Sequence, residues 1–276
     1  MAVTHEGLTT SEKLVLLKKE VEKMGSALVA YSGGVDSTFL LKISKDVLGD
    51  RVLAGIGKSD TYTRDEFEDA INTAARLGAR YVVVETEELA SAAFRENGKD
   101  RCYLCKSELF SRLKEIAERE RLSSVLDGTN VDDLSDIRPG LRAGRELGVR
   151  SPLAEAGLGK DEIRKLSFQY GLETWNKPQM ACLASRFPHG TEITAARLKQ
   201  VEECEKFIRK LGIKELRVRY HGEIARVEVG KEEIPRFLDP GLRSAIILKL
   251  KEHGFRFVTL DLEGYRTGSM NEKQDD

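Results

Sequence analysis

One stretch constrains this chain more than any other. A short apolar run, "SALV", leads into Ala30-Tyr31-Ser32-Gly33-Gly34-Val35-Asp36-Ser37-Thr38, and "FLLKISKDVLG" follows. The first part reads as a buried strand and the last has helical periodicity. Between them the chain turns through two glycines. In an open parallel sheet, ligands sit beyond the carboxyl ends of the strands. Glycines there let backbone N–H groups point into one cavity, and the following helix adds its positive N-terminal end. The place suits phosphate. Ser32, Ser37 and Thr38 add hydroxyl donors. Asp36 would repel a bare phosphate, so it makes sense as a ligand of a magnesium ion carried with the phosphates. A Walker A loop is excluded, because no Gly-Lys-Ser/Thr ending follows. The alternative is an ordinary Gly-Gly turn.

The pattern around this stretch is strand alternating with helix. Helices are expected at 10–24, 36–47, 63–78, 105–122 and 138–148, and strands at 26–31, 51–57, 80–86, 123–130 and 149–155. Such alternation predicts an α/β fold, a doubly wound, mostly parallel sheet. From about 193 the pattern changes to a long helix (193–212), strands at 215–220 and 224–229, a helical stretch (231–253) and a last strand (255–262). That is a second, smaller α+β domain. With 276 residues the chain has room for both. The division is placed at 1–185 and 186–276.

Composition excludes several classes. The formal net charge is −1, which leaves no electrostatic footprint for a large nucleic-acid partner. No apolar run approaches the roughly 20 residues of a membrane span. The first 25 residues carry Glu6, Glu12 and Glu20 and lack an apolar core, so neither a signal peptide nor a transit peptide is expected. The expectation is a cytoplasmic protein with reduced thiols.

There are four cysteines. Cys102 and Cys105 form a C-x-x-C. Cys182 lies in "QMACLASRFPHG". Cys204 falls in the long helix and reads as a small buried hydrophobe. Three cysteines fall short of a structural zinc site unless His189 joins. A thioredoxin-like pair would sit beside a βαβ core. Three cysteines would also hold an iron–sulfur cluster with one iron left open. Spacing alone does not choose. Other candidates are polar residues at strand ends, Asp127, Gly128, Thr129 and Asn130 in "LDGTNVDD", which also reads as a plain turn, and the basic pair Arg138 and Arg142. Trp175 and Phe187 suit either ring stacking or core packing. Arg217 and Arg219 alternate on one strand and so share a face; a solvated face is the plain reading.

The S-G-G-x-D-S stretch resembles the PP-loop of the ATP pyrophosphatases, whose fold is adenine nucleotide alpha-hydrolase-like. Further stretches, "VLDGTN", "RPGLRA", "TWNKP", "SRFPHGT", "RVRYHGEIARVE" and "GFRFVTLDLEGYRTGSMN", are similar to the LarE family of ATP-dependent sulfur transferases, which make the nickel-pincer cofactor of lactate racemase. The likeness runs from residue 30 to 271. It implies cleavage of ATP between the α and β phosphates and adenylation of the carboxylates of a pyridinium-3,5-dicarboxylate mononucleotide, each then becoming a thiocarboxylate. It implies ATP and Mg2+ at Ser32, Gly33, Gly34, Asp36, Ser37, Thr38, Gly57, Ser59, Asp127, Gly128, Thr129 and Arg138. It implies substrate contacts at Lys106, Ser185, Arg186, Arg217 and Arg219. One branch of the family sacrifices a cysteine, whose position here is Ala181, one residue before Cys182. The other binds a [4Fe-4S] cluster through three cysteines, which Cys102, Cys105 and Cys182 match, and needs a sulfide donor. The likeness also implies a homo-oligomer built through the second domain, a hexamer being the candidate size. The rivals are a tRNA thiolase with a three-cysteine cluster and a non-catalytic zinc- and nucleotide-binding protein. An amide-forming ligase of the NAD synthetase type gives the C-x-x-C no task.

Overall fold

The computed structural model describes residues 7–134, 139–178 and 181–266. The chain separates into two compact units, Met1–Glu88 with Lys99–Met180, and Leu89–Gly98 with Ala181–Asp276.

In the first unit the elements run α1 (Thr10–Lys23), β1 (Ala27–Tyr31), α2 (Val35–Leu48), β2 (Val52–Lys58), α3 (Arg64–Arg76) and β3 (Arg80–Glu85). The chain passes through α4 (Ala92–Arg95), which belongs to the second unit. It returns as α5 (Arg101–Arg119), β4 (Ser124–Leu126), α6 (Val131–Leu134), α7 (Pro139–Glu146), α8 (Pro152–Glu155) and α9 (Lys160–Gln169). The strands form one parallel sheet in the order β3-β2-β1-β4. Alternate residues of β1 feed opposite faces, as the two-residue period of a strand requires. Ala27, Val29 and Tyr31 pack with residues of α1, α2, α3 and α9, while Leu28 packs with Leu109, Phe110 and Leu113 of α5. Local signals start and stop the helices. Thr63 caps α3, its hydroxyl accepting from Glu66 N while the Glu66 carboxylate returns to Thr63 N. Gly78 follows α3 at φ 62°.

The strand expected at 149–155 is not one. Arg150 makes a single parallel bridge to Leu126, and then Pro152 at the first helical position starts α8. The helix expected from 105 begins at Arg101, so both cysteines of the C-x-x-C lie inside it.

The second unit contains α4, α10 (Ala195–Lys210), β5 (Leu216–His221), β6 (Ile224–Val229), α11 (Pro240–Glu252) and β7 (Phe257–Leu260). Its sheet has the order β5-β6-β7, with β5–β6 antiparallel and β6–β7 parallel. Segment 89–98 is tied to it by Asn97, whose amide donates to the carbonyls of Phe187 (3.3 Å) and Pro188 (2.7 Å), and by Ile193 N donating to Arg95 O at 2.8 Å.

Candidate active site

The sheet order reverses at β1, with β2 on one side and β4 on the other. The crevice beyond the carboxyl ends of β1 and β4 is therefore where a doubly wound sheet binds ligands. The two loops that meet there are the glycine turn and the "DGTN" turn. Gly33 has φ 72°, and a Cβ on it would come 3.0 Å from Ala70 Cβ of α3, so the tight exit from β1 requires glycine. Gly128 faces α2 so closely that a Cβ would stand 2.9 Å from Ser37 N. Ser32 Oγ and Ser37 Oγ lie 3.1 Å apart, and Gly34 N donates to Ser32 Oγ at 3.4 Å. Thr38 is buried, its hydroxyl 3.3 Å from Tyr31 Oη.

Asp36, in the first turn of α2, accepts from Lys160 Nζ at 2.5 Å through Oδ2. Its Oδ1 is buried without a hydrogen-bond partner among the described residues. Burial pushes the Asp36 carboxyl up, and the Lys160 ammonium opposes that. A partly buried, half-satisfied carboxylate at a phosphate-type loop is a donor set that fits a magnesium ion. A second cation, Lys177 Nζ, lies 3.4 Å from Gly33 O and 3.5 Å from Asp69 Oδ2.

The other predicted nucleotide contacts are spread around this loop. Asp127 closes its own turn, accepting from Thr129 N (3.2 Å), Thr129 Oγ1 (2.8 Å) and Ser151 Oγ (2.7 Å). Asn130 Oδ1 accepts from Asp132 N at 2.9 Å, the start of α6. Gly57 is the next-to-last residue of β2, and Ser59 Oγ is engaged by Thr61, 2.7 Å from its hydroxyl. Arg138 lies outside the described residues.

Cys102 and Cys105 are one turn apart near the start of α5, hence on one face. Cys102 is exposed, with Arg101 Nη2 3.8 Å from its Sγ. The Cys105 thiol donates to Glu88 Oε1 at 3.4 Å. Two adjacent thiols on a helix face suit two ligands of a cluster. Cys182 belongs to the second unit. Among the described residues no group of three or more His, Cys, Asp or Glu side chains is gathered as a metal site. Cys204 is fully buried, and burial pushes its thiol up to about 12, as expected of an inert core cysteine. Lys106 Nζ lies 5.1 Å from the Phe110 ring centroid, and Arg142 stacks on Tyr103 at 4.0 Å.

The predicted anion-site arginines are buried, and Arg186 and Arg219 are paired with carboxylates. Arg186 donates to both carboxylate oxygens of Glu205 at 2.9 Å. Arg219 donates to Glu228 Oε2 through Nε (2.9 Å) and Nη2 (2.7 Å), and to Ser185 O at 3.1 Å. Arg217 stacks over Tyr265 at 5.0 Å and donates to Leu216 O. Phe187 is core, its ring 5.2 Å from that of Tyr220, and Trp175 lies edge-on to Phe168.

The NAD synthase family matches residues 9–123. The pyridinium-3,5-bisthiocarboxylic acid mononucleotide synthase of Lactiplantibacillus plantarum is 39% identical over 96% of this chain and 95% of its own. The chain belongs to the LarE family. Two uncharacterized proteins align over similar lengths. That of Synechocystis is 42% identical over 94% of this chain and 97% of its own, and that of Methanocaldococcus jannaschii 32% identical over 93% and 98%.

Like its family, this chain is an ATP-dependent enzyme that forms AMP and pyrophosphate. For this LarE-family chain, two cations at the loop are not among the sequence-predicted site residues. Lys160 sits at the start of α9, for which Gly159 followed by Asp161 and Glu162 is a legible helix start. Lys177 lies within "TWNKP", one of the stretches that carry the family likeness, yet nothing local marks its reach to Gly33.

Proposed function

We propose that this chain is an ATP-dependent sulfur transferase that adenylates the carboxylates of a pyridinium-3,5-dicarboxylate mononucleotide and converts them to thiocarboxylates. That places it in nickel-pincer nucleotide cofactor synthesis. The observation that carries the reading is the near end-to-end match to the named synthase. No helix among the described residues is long and apolar enough to cross a membrane, and a small soluble substrate agrees with that.

The chemistry follows from leaving groups. A carboxylate oxygen is a poor leaving group, whereas AMP is a good one. The substrate carboxylate attacks the α-phosphorus of ATP, the bond to the β-phosphate oxygen breaks, and pyrophosphate leaves. A sulfur nucleophile then attacks the acyl carbon, and AMP departs with one carboxylate oxygen. The loop's contribution is positioning and fixed charge. Gly33 and Gly34 bring backbone N–H groups to the phosphates. Lys160 and Lys177 supply positive charge beside them. Asp36 is the proposed protein ligand of the Mg2+ that accompanies ATP and neutralises its phosphates.

Cys102, Cys105 and Cys182 are the proposed ligands of a [4Fe-4S] cluster, which would supply a sulfide at the iron that has no cysteine. Ala181 at the sacrificial position and the C-x-x-C at the start of α5 support this route. Lys106, Ser185, Arg217 and Arg219 are proposed for substrate anions. A cytoplasmic homo-oligomer joined through the second unit, a sulfide-donor partner and lactate racemase maturation complete the reading by family likeness.

The test is product analysis with Mg2+-ATP and the dicarboxylate mononucleotide labelled with 18O in its carboxylates. The reading predicts pyrophosphate and 18O-labelled AMP, formed only when the mononucleotide is present. ADP and phosphate, or AMP without label, would refute it.

A further inference from the structure

Arg186 is 2% exposed and Glu205, its partner, is fully buried. The fork of Arg186 is closed on Glu205 through Nε and Nη2, both at 2.9 Å. Its remaining nitrogen, Nη1, reaches back along the chain to the carbonyls of Ala181 (2.5 Å) and Cys182 (3.0 Å) and to Ser185 Oγ (3.2 Å). Glu205 is itself fixed from α10, accepting from Val218 N of β5 at 3.0 Å and from Arg209 at 3.1 Å. The turn 181–186 is thus gripped at both ends, since Arg219 Nη1, held by Glu228, donates to Ser185 O at 3.1 Å.

Burying two ions is costly, and apolar residues of similar volume often stabilise a core equally well. Apolar residues could not bind two adjacent carbonyls. The planar guanidinium does so while its other edge is locked, a geometry that lysine cannot reproduce.

We infer that Arg186, locked by Glu205, is a positioning residue that fixes the backbone carrying Cys182, in place of the substrate anchor its sequence position suggests. This rests on the proposed role of Cys182 in sulfur transfer. The sulfur chemistry needs the Cys182 thiol held in one place, and the clamp acts on the peptide groups flanking it.

The test reads the three thiols separately. Reduced, chelator-treated protein is alkylated with iodoacetamide, and Cys102, Cys105 and Cys182 are followed by peptide mass spectrometry. Arg186→Lys keeps a charge for Glu205 and loses the fork. Alkylation of Cys182 is expected to rise about tenfold, equivalent to ~1.4 kcal/mol, with Cys102 and Cys105 at wild-type rates. In turnover, kcat falls while KM for ATP holds. An unchanged Cys182 rate overturns the inference, and so does a parallel rise at all three thiols. If the variant does not fold, hydrogen exchange on the wild-type protein decides. Ser185 N–H, which donates to Cys182 O at 3.0 Å, must exchange as slowly as the amides of α10; exchange at the rate of an open loop overturns the clamp. Alkylation needs no turnover, so a protein that releases no pyrophosphate sinks the sulfur-transfer reading without touching this result.

Discussion

Lys160 donates to one carboxylate oxygen of Asp36, and the other oxygen of Asp36 is buried with no partner among the described residues. A carboxylate left half satisfied at the head of α2 costs free energy unless a ligand completes it. Asp36→Asn should therefore lower pyrophosphate formation by about 10²–10³-fold, the scale for removing one preorganised electrostatic group. Thermal unfolding should change little. An active Asp36→Asn variant would remove Asp36 from the nucleotide site.

Gly128 tests whether the two loops form one site. A Cβ there would press on Ser37 N, a backbone atom that cannot swing aside. Gly128→Ala should weaken ATP binding about tenfold, ~1.4 kcal/mol, and destabilise the fold by about 1–3 kcal/mol through overpacking. Equilibrium ATP titration and thermal unfolding check both. Unaltered ATP affinity would mean the "DGTN" turn is only scaffold.

The strand–glycine–helix unit was legible because its signals are local: β1 and α2 lie where the apolar run and the periodicity put them. The same holds for the shared face of Arg217 and Arg219 on β5. What those arginines face was not legible. The partner of Arg186 is 19 residues away on another helix and that of Arg219 sits across the sheet on β6. A sequence shows charge but not which carboxylate folding delivers to it. The expected strand at 149–155 failed because Pro152 favours a helix start over a ladder position. The place of segment 89–98 in the second unit depends on Asn97 side-chain bonds to backbone some 90 residues on.

Glu205 gives a pH dependence with a definite sign. Burial pushes its carboxyl up, but the guanidinium of Arg186, aided by Arg209 and Arg217, outweighs that and holds it at about 2, below the ordinary 4.5. A depressed carboxylate stabilises the fold fully above pH 4.5 and loses that contribution as pH falls from 4.5 toward about 2. The span corresponds to about 3 kcal/mol. Amides of α10 should lose exchange protection across that window. Glu205→Gln should show the loss already at neutral pH, because it removes the buried carboxylate that pairs with Arg186. Protection independent of pH over that range would contradict the pairing.

The cysteines separate into two kinds. Cys204→Ala should leave iron content and activity intact and cost only packing, since Cys204 is an inert core residue. In protein purified without oxygen, Cys102→Ala, Cys105→Ala and Cys182→Ala should each lose iron and acid-labile sulfide. Iron retained in any of the three would remove that residue from the ligand set.

In the proposed reaction sulfur reaches an adenylated carboxylate while the chain itself is not consumed. Single-turnover mass spectrometry of product and protein tests it most directly. The expected result is a product in which sulfur has replaced a carboxylate oxygen and a chain of unchanged mass. A chain lighter by one hydrogen sulfide would contradict the cluster route and make Cys182 the sulfur source. A product without sulfur, formed while ATP is cleaved to AMP, would contradict sulfur transfer itself.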